Sequence, residues 1–402
     1  MPFKFGYLCD LLSSLEAHQT HDPPYLPARL KETYCKTVQQ WFRCHRARID
    51  ASDTDGVALL SSLFPEKRTD RVYGLKEPSI ARILGRCLSL GVSRARELDK
   101  WRAKGGGDLG DCVEKVQRQA EMPVPRKDNE VTIEEIDRAL AQIAGQYRFS
   151  SPAVRRRAKE MEWAASDLDS ILTPILHRMS STDMKWFTKM LLKSYAPVVV
   201  PQGLVLRSFH FLLPELLKFQ DSFDAAVALI RGPVIGGTPA QPRKQDQTFY
   251  RAGAAKVLVP KVGVKVGRVP YLKARSIKHC VQMAGRRRMS LERKYDGEYC
   301  QIHIDLTKGE DWVQIFSKSG KDSTSDRVGV HDTIKKCLKI GEPSCGFSGK
   351  CILEGELVVW SDEEGKIMEF HKLRKHVSRS GSFLGTAKDS QYVGVSAINS
   401  RF

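Results

Sequence analysis

The sequence predicts a multidomain chain: an all-α first part, then a mostly antiparallel α+β part. Three observations carry this. Up to about residue 230, apolar residues recur at helical spacing. Residues 231–245 are then dense in Gly, Pro and polar residues, the composition of a linker. Beyond it the pattern changes to alternating β-branched runs, as in residues 255–266, and to strict alternation in residues 300–306. The expected divisions are residues 1–230, a linker at 231–250, an α+β domain at 251–390 and a tail at 391–402. At 402 residues and 41% hydrophobic content, the chain can hold two or three domains with real cores.

The helical part can be followed element by element. Residues 5–18 place Leu8, Leu11, Leu12 and Leu15 on one face. A Pro-rich break at Pro23, Pro24 and Pro27 precedes a helix over 28–48. Residues 78–90 open on a proline, which suits a first helical turn. Thr132-Ile-Glu-Glu135 reads as a capping box for a helix running through Leu140 and Ile143. Residues 151–163 form a further helix with Arg155, Arg156, Arg157 and Lys159. Such a run is commonly a solvated face, and in a chain this basic it is also a candidate phosphate contact.

The formal net charge is +18, with +13 in residues 231–402 and +5 before them. A polyanionic partner fits this balance, nucleic acid before membrane. The 10 Cys are scattered, with no Cys-x-x-Cys pair and no zinc spacing, so they read as reduced thiols. No apolar stretch reaches transmembrane length, and the first residues lack a signal-peptide layout.

In the α+β part the informative stretch is Ser290-Leu-Glu-Arg-Lys-Tyr-Asp-Gly-Glu-Tyr-Cys-Gln-Ile-His-Ile-Asp305. Asp296-Gly297 is a tight-turn signal between two runs that suit strands. Cys300, Ile302 and Ile304 alternate with Gln301, His303 and Asp305, which predicts a strand with one buried face. Lys294 then stands just before the turn, with Glu292 two residues back. Such a lysine is a nucleophile once its amine loses its proton, through desolvation or a nearby cation. Further on, Trp312-Val-Gln-Ile-Phe-Ser-Lys-Ser-Gly320 reads as a strand entering a turn. Cys351-Ile-Leu-Glu-Gly-Glu-Leu-Val-Val-Trp360 sets carboxylates between apolar flanks, which is costly unless a metal or sugar partner offsets them.

Lys294-Tyr-Asp-Gly297 resembles the Lys-x-Asp-Gly signature of covalent nucleotidyltransferases. Three further stretches make the resemblance one to eukaryotic ATP-dependent DNA ligases. Thr182-Asp-Met-Lys-Trp-Phe-Thr-Lys-Met-Leu-Leu-Lys193 is similar to a helix of their DNA-binding domain, with Lys189 at a position that is typically Arg. The stretch ending at Gly320 resembles Phe-Ser-Arg-Asn-Gly, with Lys318 for the Arg. Glu354-Gly-Glu356 resembles their Asp-Gly-Glu strand. Leu63-Phe-Pro-Glu-Lys-Arg-Thr-Asp-Arg-Val-Tyr-Gly-Leu-Lys76 looks like the ligase IV type, which acts in end joining.

The resemblance implies an all-α DNA-binding domain followed by a nucleotidyltransferase (adenylation) domain using ATP and Mg²⁺. Lys294 would be the nucleophile and Glu292 would read the adenine amino group. Asp296 would fix the turn, Tyr299 and Lys318 would face sugar and phosphate, and Glu356 would contact the ribose or the metal. Arg155, Arg156, Arg157, Lys189 and Lys193 are the expected DNA contacts. Implied partners are double-stranded DNA with nicks or ends and an end-joining scaffold protein, in the nucleus.

Two departures stand out. The family pattern carries an Arg that contacts the nucleotide where this chain has Tyr299, which is uncharged at neutral pH. The family's later motifs and its oligonucleotide-binding barrel do not follow Glu356. Residues 370–386 fit the family's next helix, and residues 391–402 read as unrelated sequence. The resulting expectation is a C-terminally truncated ligase with an incomplete adenylation domain. It would not seal nicks, and apolar surface near Ile352, Leu357 and Val359 would be poorly covered. The competing reading is a non-catalytic DNA-binding protein derived from a ligase. RNA ligases and capping enzymes share the Lys signature but lack the ligase-type helical domain.

Overall fold

The computed structural model describes residues 2–119, 130–161, 163, 167–269, 271–290, 294–369 and, as backbone only, 391–399. Glu292 and the stretch 370–390 lie outside the described residues. The chain divides into two compact units. One comprises Met1–Leu216 with Phe223–Leu258, and the other Leu217–Ser222 with Val259–Phe402.

The first unit is helical. It opens with α1 (Phe5–Gln19), α2 (Pro27–Ile49), α3 (Gly56–Leu63), α4 (Glu77–Cys87) and α5 (Val92–Leu98). Next come α6 (Leu109–Arg118), α7 (Ile133–Gln146), α8 (Pro152–Glu160), α9 (Leu168–Leu176) and α10 (Ser181–Leu191). Then follow α11 (Gln202–Phe209), α12 (Leu213–Phe219), whose residues from Leu217 on count with the other unit, α13 (Phe223–Arg231) and α14 (Gln247–Ala254). The leucine face expected for α1 is the face it buries. The Thr132–Glu135 capping box forms, with bonds of 2.9 and 3.2 Å.

Helix α10 is central to this unit. A second capping box, between Ser180 and Asp183, starts it. Trp186 and Phe187 are both 0% exposed, and the Trp186 indole N–H donates to Ser13 Oγ at 2.8 Å. Losing either aromatic would cost about 3–5 kcal/mol.

Residues 231–250, expected as a linker, fold onto this unit. Phe211 N–H donates to Ala240 O at 3.0 Å, and Gln241 Nε2 to Arg207 O at 2.6 Å. Residues 255–266 are not the strand that their β-branched alternation suggests. They form turns and an irregular path after α14. Pro260 and Gly263, at φ +89°, interrupt the run, and its N–H groups find local carbonyls or, at Gly263 and Val266, side chains rather than a neighbouring strand.

The second unit contains α15 (Ile277–Ala284), β1 (Glu298–Asp305), β2 (Val313–Ser317) and α16 (His331–Cys337). The strands β3 (Lys350–Ser361), β4 (Lys366–Ile367) and β5 (Gln391–Asn399) follow. All pairings are antiparallel, in the order β2-β1-β3-β4, with β5 also on β3. Thus residues 391–399, read from sequence as unrelated, form a strand of this sheet. One face packs Cys300, Ile302, Ile304, Ile315, Leu353, Leu357 and Val359 against Val330, Ile334 and Met368. Leu357 and Val359 are 0% and 1% exposed, so the expectation of a poorly covered strand is corrected at these two positions.

Candidate nucleotide site and basic surface

The other face of the sheet is polar, and Tyr299 and the Glu354–Glu356 motif lie on it. Tyr299 pairs across β1 and β3 with Glu356, and Gln301 with Glu354, so these four share one face. This face is not open to water along β1. Gln301, His303 and Asp305 are 3%, 1% and 6% exposed. Residues 263–268 cover part of it. Gly263 N–H donates to His303 Nδ1 at 3.1 Å, and Val266 N–H to Gln301 Oε1 at 2.7 Å. The prediction of one buried face is therefore corrected to two. Alternation identified the apolar side but could not reveal a polar lid.

Because His303 Nδ1 accepts from Gly263, Nε2 carries the proton and donates to Gln301 Oε1 at 2.9 Å. Burial pushes this imidazole down to about 4. The Tyr299 hydroxyl donates to Glu354 Oε1 at 2.5 Å. Burial, then the Glu354 hydrogen bond and charge, push the phenol well above its usual range, so it stays protonated. The Arg268 guanidinium lies 4.8 Å from the centre of the Tyr299 ring.

Lys294 sits in the irregular approach to β1, and no strand precedes it among the described residues. The run expected as the strand before the turn includes residues 291–293, which lie outside the described residues. Lys294 is exposed, and its ammonium donates to Tyr295 O at 3.3 Å. Asp296 is also exposed. Gly297 is required by close approach: a Cβ there would lie 2.3 Å from Leu357 O and 2.7 Å from Glu356 Cγ. Glycine thus lets the lysine-bearing segment lie against the Glu356 strand.

A register shift falls between Glu354 and Glu356 in the β3–β5 pairing, a local irregularity of the kind that re-aims side chains. Glu356 is half-buried and has no ion-pair partner among the described residues. Lys318 is exposed in the turn after β2, which Gly320 closes at φ +90°. Glu298 is held by the buried Arg327 at 2.6 Å, an ion pair that no motif signalled. Arg268, Glu354, Gln301 and His303 were likewise not singled out as a network. The polar alternation of β1 was the available signal.

Among the described residues no group of three metal-ligating side chains converges. The unpaired Glu356 carboxylate nevertheless fits a Mg²⁺ held mainly by substrate phosphates, which needs only one or two protein carboxylates.

The expected DNA contacts separate into two groups. Lys189 is 2% exposed and bonds Asp108 and the carbonyl of Ala196. Lys193 turns into the left-handed region at φ +55° after α10, and its ammonium donates to the carbonyls of Arg68 and Arg71, each at 2.5 Å. Burial pushes it down to about 8. Both lysines are committed inside the helical unit, so their assignment to DNA is corrected. Lys189 ties α10 to Asp108, and Lys193 ties its end to the loop 68–71, where Arg71 also pairs with Asp137 at 2.6 Å.

Arg156 and Arg157 are exposed on α8, while the half-buried Arg155 donates to Ser150 O at 3.2 Å. Helices α7 and α8 flank a cleft of about 390 Å³ lined by Gln142, Gln146, Arg155, Arg156, Lys159 and Trp163. The 10 Cys are free thiols, as expected. No helix among the described residues is long and apolar enough to cross a membrane.

Comparison with known proteins places this geometry in a family. A family model described as DNA ligase N terminus matches residues 4–210, and one described as ATP dependent DNA ligase domain matches residues 270–395. The chain is 25% identical to DNA ligase 4 of Dictyostelium discoideum over 81% of its length and 30% of that relative's. It is 22% identical to DNA ligase 4 of Arabidopsis thaliana over 98% of its length and 28% of that protein's. It is 25% identical to DNA ligase 4 of Coprinopsis cinerea over 86% of its length and 30% of the relative's. The chain therefore spans less than a third of the length of each of these relatives. With a ligase N-terminal region over more than half of the chain and an ATP-dependent ligase domain after it, the chain belongs to the ATP-dependent DNA ligase family.

Proposed function

We propose that this chain carries the adenylation step of an ATP-dependent DNA ligase working in DNA repair, on the end-joining branch. The observation that carries the reading is the close packing of the lysine-bearing segment, at Gly297, on the strand that bears Glu356. Lys294 leads into β1, Glu354 and Glu356 stand opposite on β3, and Lys318 follows β2. Lys294 Nζ would attack the α-phosphate of ATP, forming a P–N bond as the bond to pyrophosphate breaks. The amine must first lose its proton to act. A bound Mg²⁺, with Glu356 as its protein carboxylate, would offset phosphate charge. Glu292 would read the adenine base, Tyr299 would face the sugar, and Asp296 would hold the approach to β1. AMP would then pass to the 5′-phosphate of a nick or end.

The helical unit would hold duplex DNA through phosphates, without sequence preference, using exposed cations such as Arg156 and Arg157 with Arg155 behind them. Work on chromosomal breaks would place the protein in the nucleus, with a scaffold protein of end joining as a partner.

A second reading has one specific support. Tyr299 replaces the family's Arg and is tied to Glu354, which suits a DNA-binding protein whose nucleotide site no longer turns over. ATP labelled at either the α- or the γ-phosphate separates the two. The enzyme reading expects α-label retained on the protein through alkali and released by acid, as a P–N bond requires, with no γ-label and no label from GTP. Absence of α-label in the presence of Mg²⁺ supports the non-catalytic protein, and labelling by GTP would favour a capping-type activity.

A further inference from the structure

The polar sheet face has an imbalance of charge. Glu354 and Glu356 stand side by side on β3, and a nucleoside triphosphate would bring further negative charge to them. Where the family resemblance puts a strand arginine, this chain has Tyr299, whose hydroxyl hydrogen is already given to Glu354. A phenol so engaged stays neutral and cannot offset either carboxylate or phosphate.

Arg268 lies over that same ring at 4.8 Å. Its approach is built into the fold. Val266 exchanges two bonds with the Gln301 amide, at 2.7 and 3.3 Å. Gly267 N–H donates to Lys218 O at 3.0 Å, and a Cβ at Gly267 would lie 2.6 Å from Leu217 O, so the chain is pressed into place just before Arg268. Arg268 itself is exposed, and no carboxylate pairs with it among the described residues. Its guanidinium is therefore positioned by an aromatic platform and remains available to a ligand.

We propose that Arg268 is a nucleotide-binding residue of this chain, contacting a phosphate of a nucleoside triphosphate and supplying from the covering segment the positive charge that Tyr299 does not. The assignment rests on the nucleotide reading above and deepens it. Tyr299 then has two tasks, holding Glu354 by its hydroxyl and orienting Arg268 by its ring. A planar guanidinium held this way offers a fork of donors suited to phosphate oxygens, with less freedom to lose than a free side chain.

The test is equilibrium binding of two probes, Mg²⁺-ATP and adenosine, to the full chain and its variants. Arg268→Ala should weaken ATP about tenfold, the loss of one charge-assisted contact, while adenosine binds as before. Arg268→Lys should retain part of the ATP affinity. Tyr299→Arg added to Arg268→Ala should restore it by returning the charge to the strand. Equal ATP affinity in wild type and Arg268→Ala overturns the assignment alone. Equal loss of both probes also overturns it, by marking Arg268 as structural. A wild-type chain that binds neither probe overturns the nucleotide reading and this inference together.

Discussion

Replacing Gly297 by Ala tests how the lysine-bearing segment meets the sheet. The added Cβ would stand 2.3 Å from Leu357 O, 2.7 Å from Glu356 Cγ and 2.9 Å from Val358 Cγ1. The Glu356 side chain can swing away, but the Leu357 carbonyl cannot easily move. It belongs to β3, which is paired with both β1 and β5. Relief must come from separating the start of β1 from β3, an overpacking cost of about 1–3 kcal/mol. Opening of the β1–β3 ladder should become roughly 5- to 150-fold more frequent for that cost. Hydrogen–deuterium exchange resolved by segment reads it directly. Amides of β1 and β3 should lose protection, while those of α10 keep theirs. Gly346→Ala, where nothing lies within 4 Å, is the control in the same unit. Self-adenylylation should fall more than tenfold, because the shift moves Lys294 relative to Glu356. Unchanged exchange and activity in Gly297→Ala would refute the close-approach argument.

His303 is neutral in the fold, with its titration moved from 6.5 down to about 4, so the unfolded chain takes up the proton first as pH falls. Its contribution is complete above pH 6.5 and is lost toward pH 4, where it amounts to about 3 kcal/mol. Relative to wild type, His303→Gln should show a flatter loss of exchange protection in residues 259–268 across that window; parallel curves would count against it. Lys189→Met removes a buried ion pair whose partner Asp108 is partly exposed. It should destabilise the helical unit by about 2 kcal/mol, as read by denaturant unfolding, yet leave DNA affinity of the folded protein unchanged. Arg156→Ala should do the reverse in a filter-binding assay, lowering duplex affinity and the salt slope by about one unit with no change in stability.

Much of the helical unit was legible because its signals are local. The leucine spacing of α1, the Thr132–Glu135 box and the proline at the start of α4 each act within one or two turns. The stretch carrying Lys189 and Lys193 was also legible as a helix, but not the destination of its cations. An exposed phosphate-binding lysine and a buried one bonded to Arg68 and Arg71 have the same local sequence; only the distant loop distinguishes them. The strand β1 was readable from its alternation, and its polar face was misjudged for the same reason. Residues 263–268 cover it through side-chain to backbone bonds that leave no periodic trace, and their β-branched content suggested a strand instead. The motifs at Lys294, Lys318 and Glu354–Glu356 were visible one at a time. That the segment carrying Lys294 packs on the strand of Glu354 and Glu356 depends on pairing register, which a sequence pattern does not carry.

The central claim is that this face presents Lys294 to the α-phosphate of ATP. The most direct measurement is mass spectrometry of the intact chain, then of its peptides, after incubation with Mg²⁺-ATP. The account predicts one added adenylyl group, placed on Lys294, removed by pyrophosphate and absent from Lys294→Ala. An adenylyl group on another residue, or one that persists in Lys294→Ala, would contradict it.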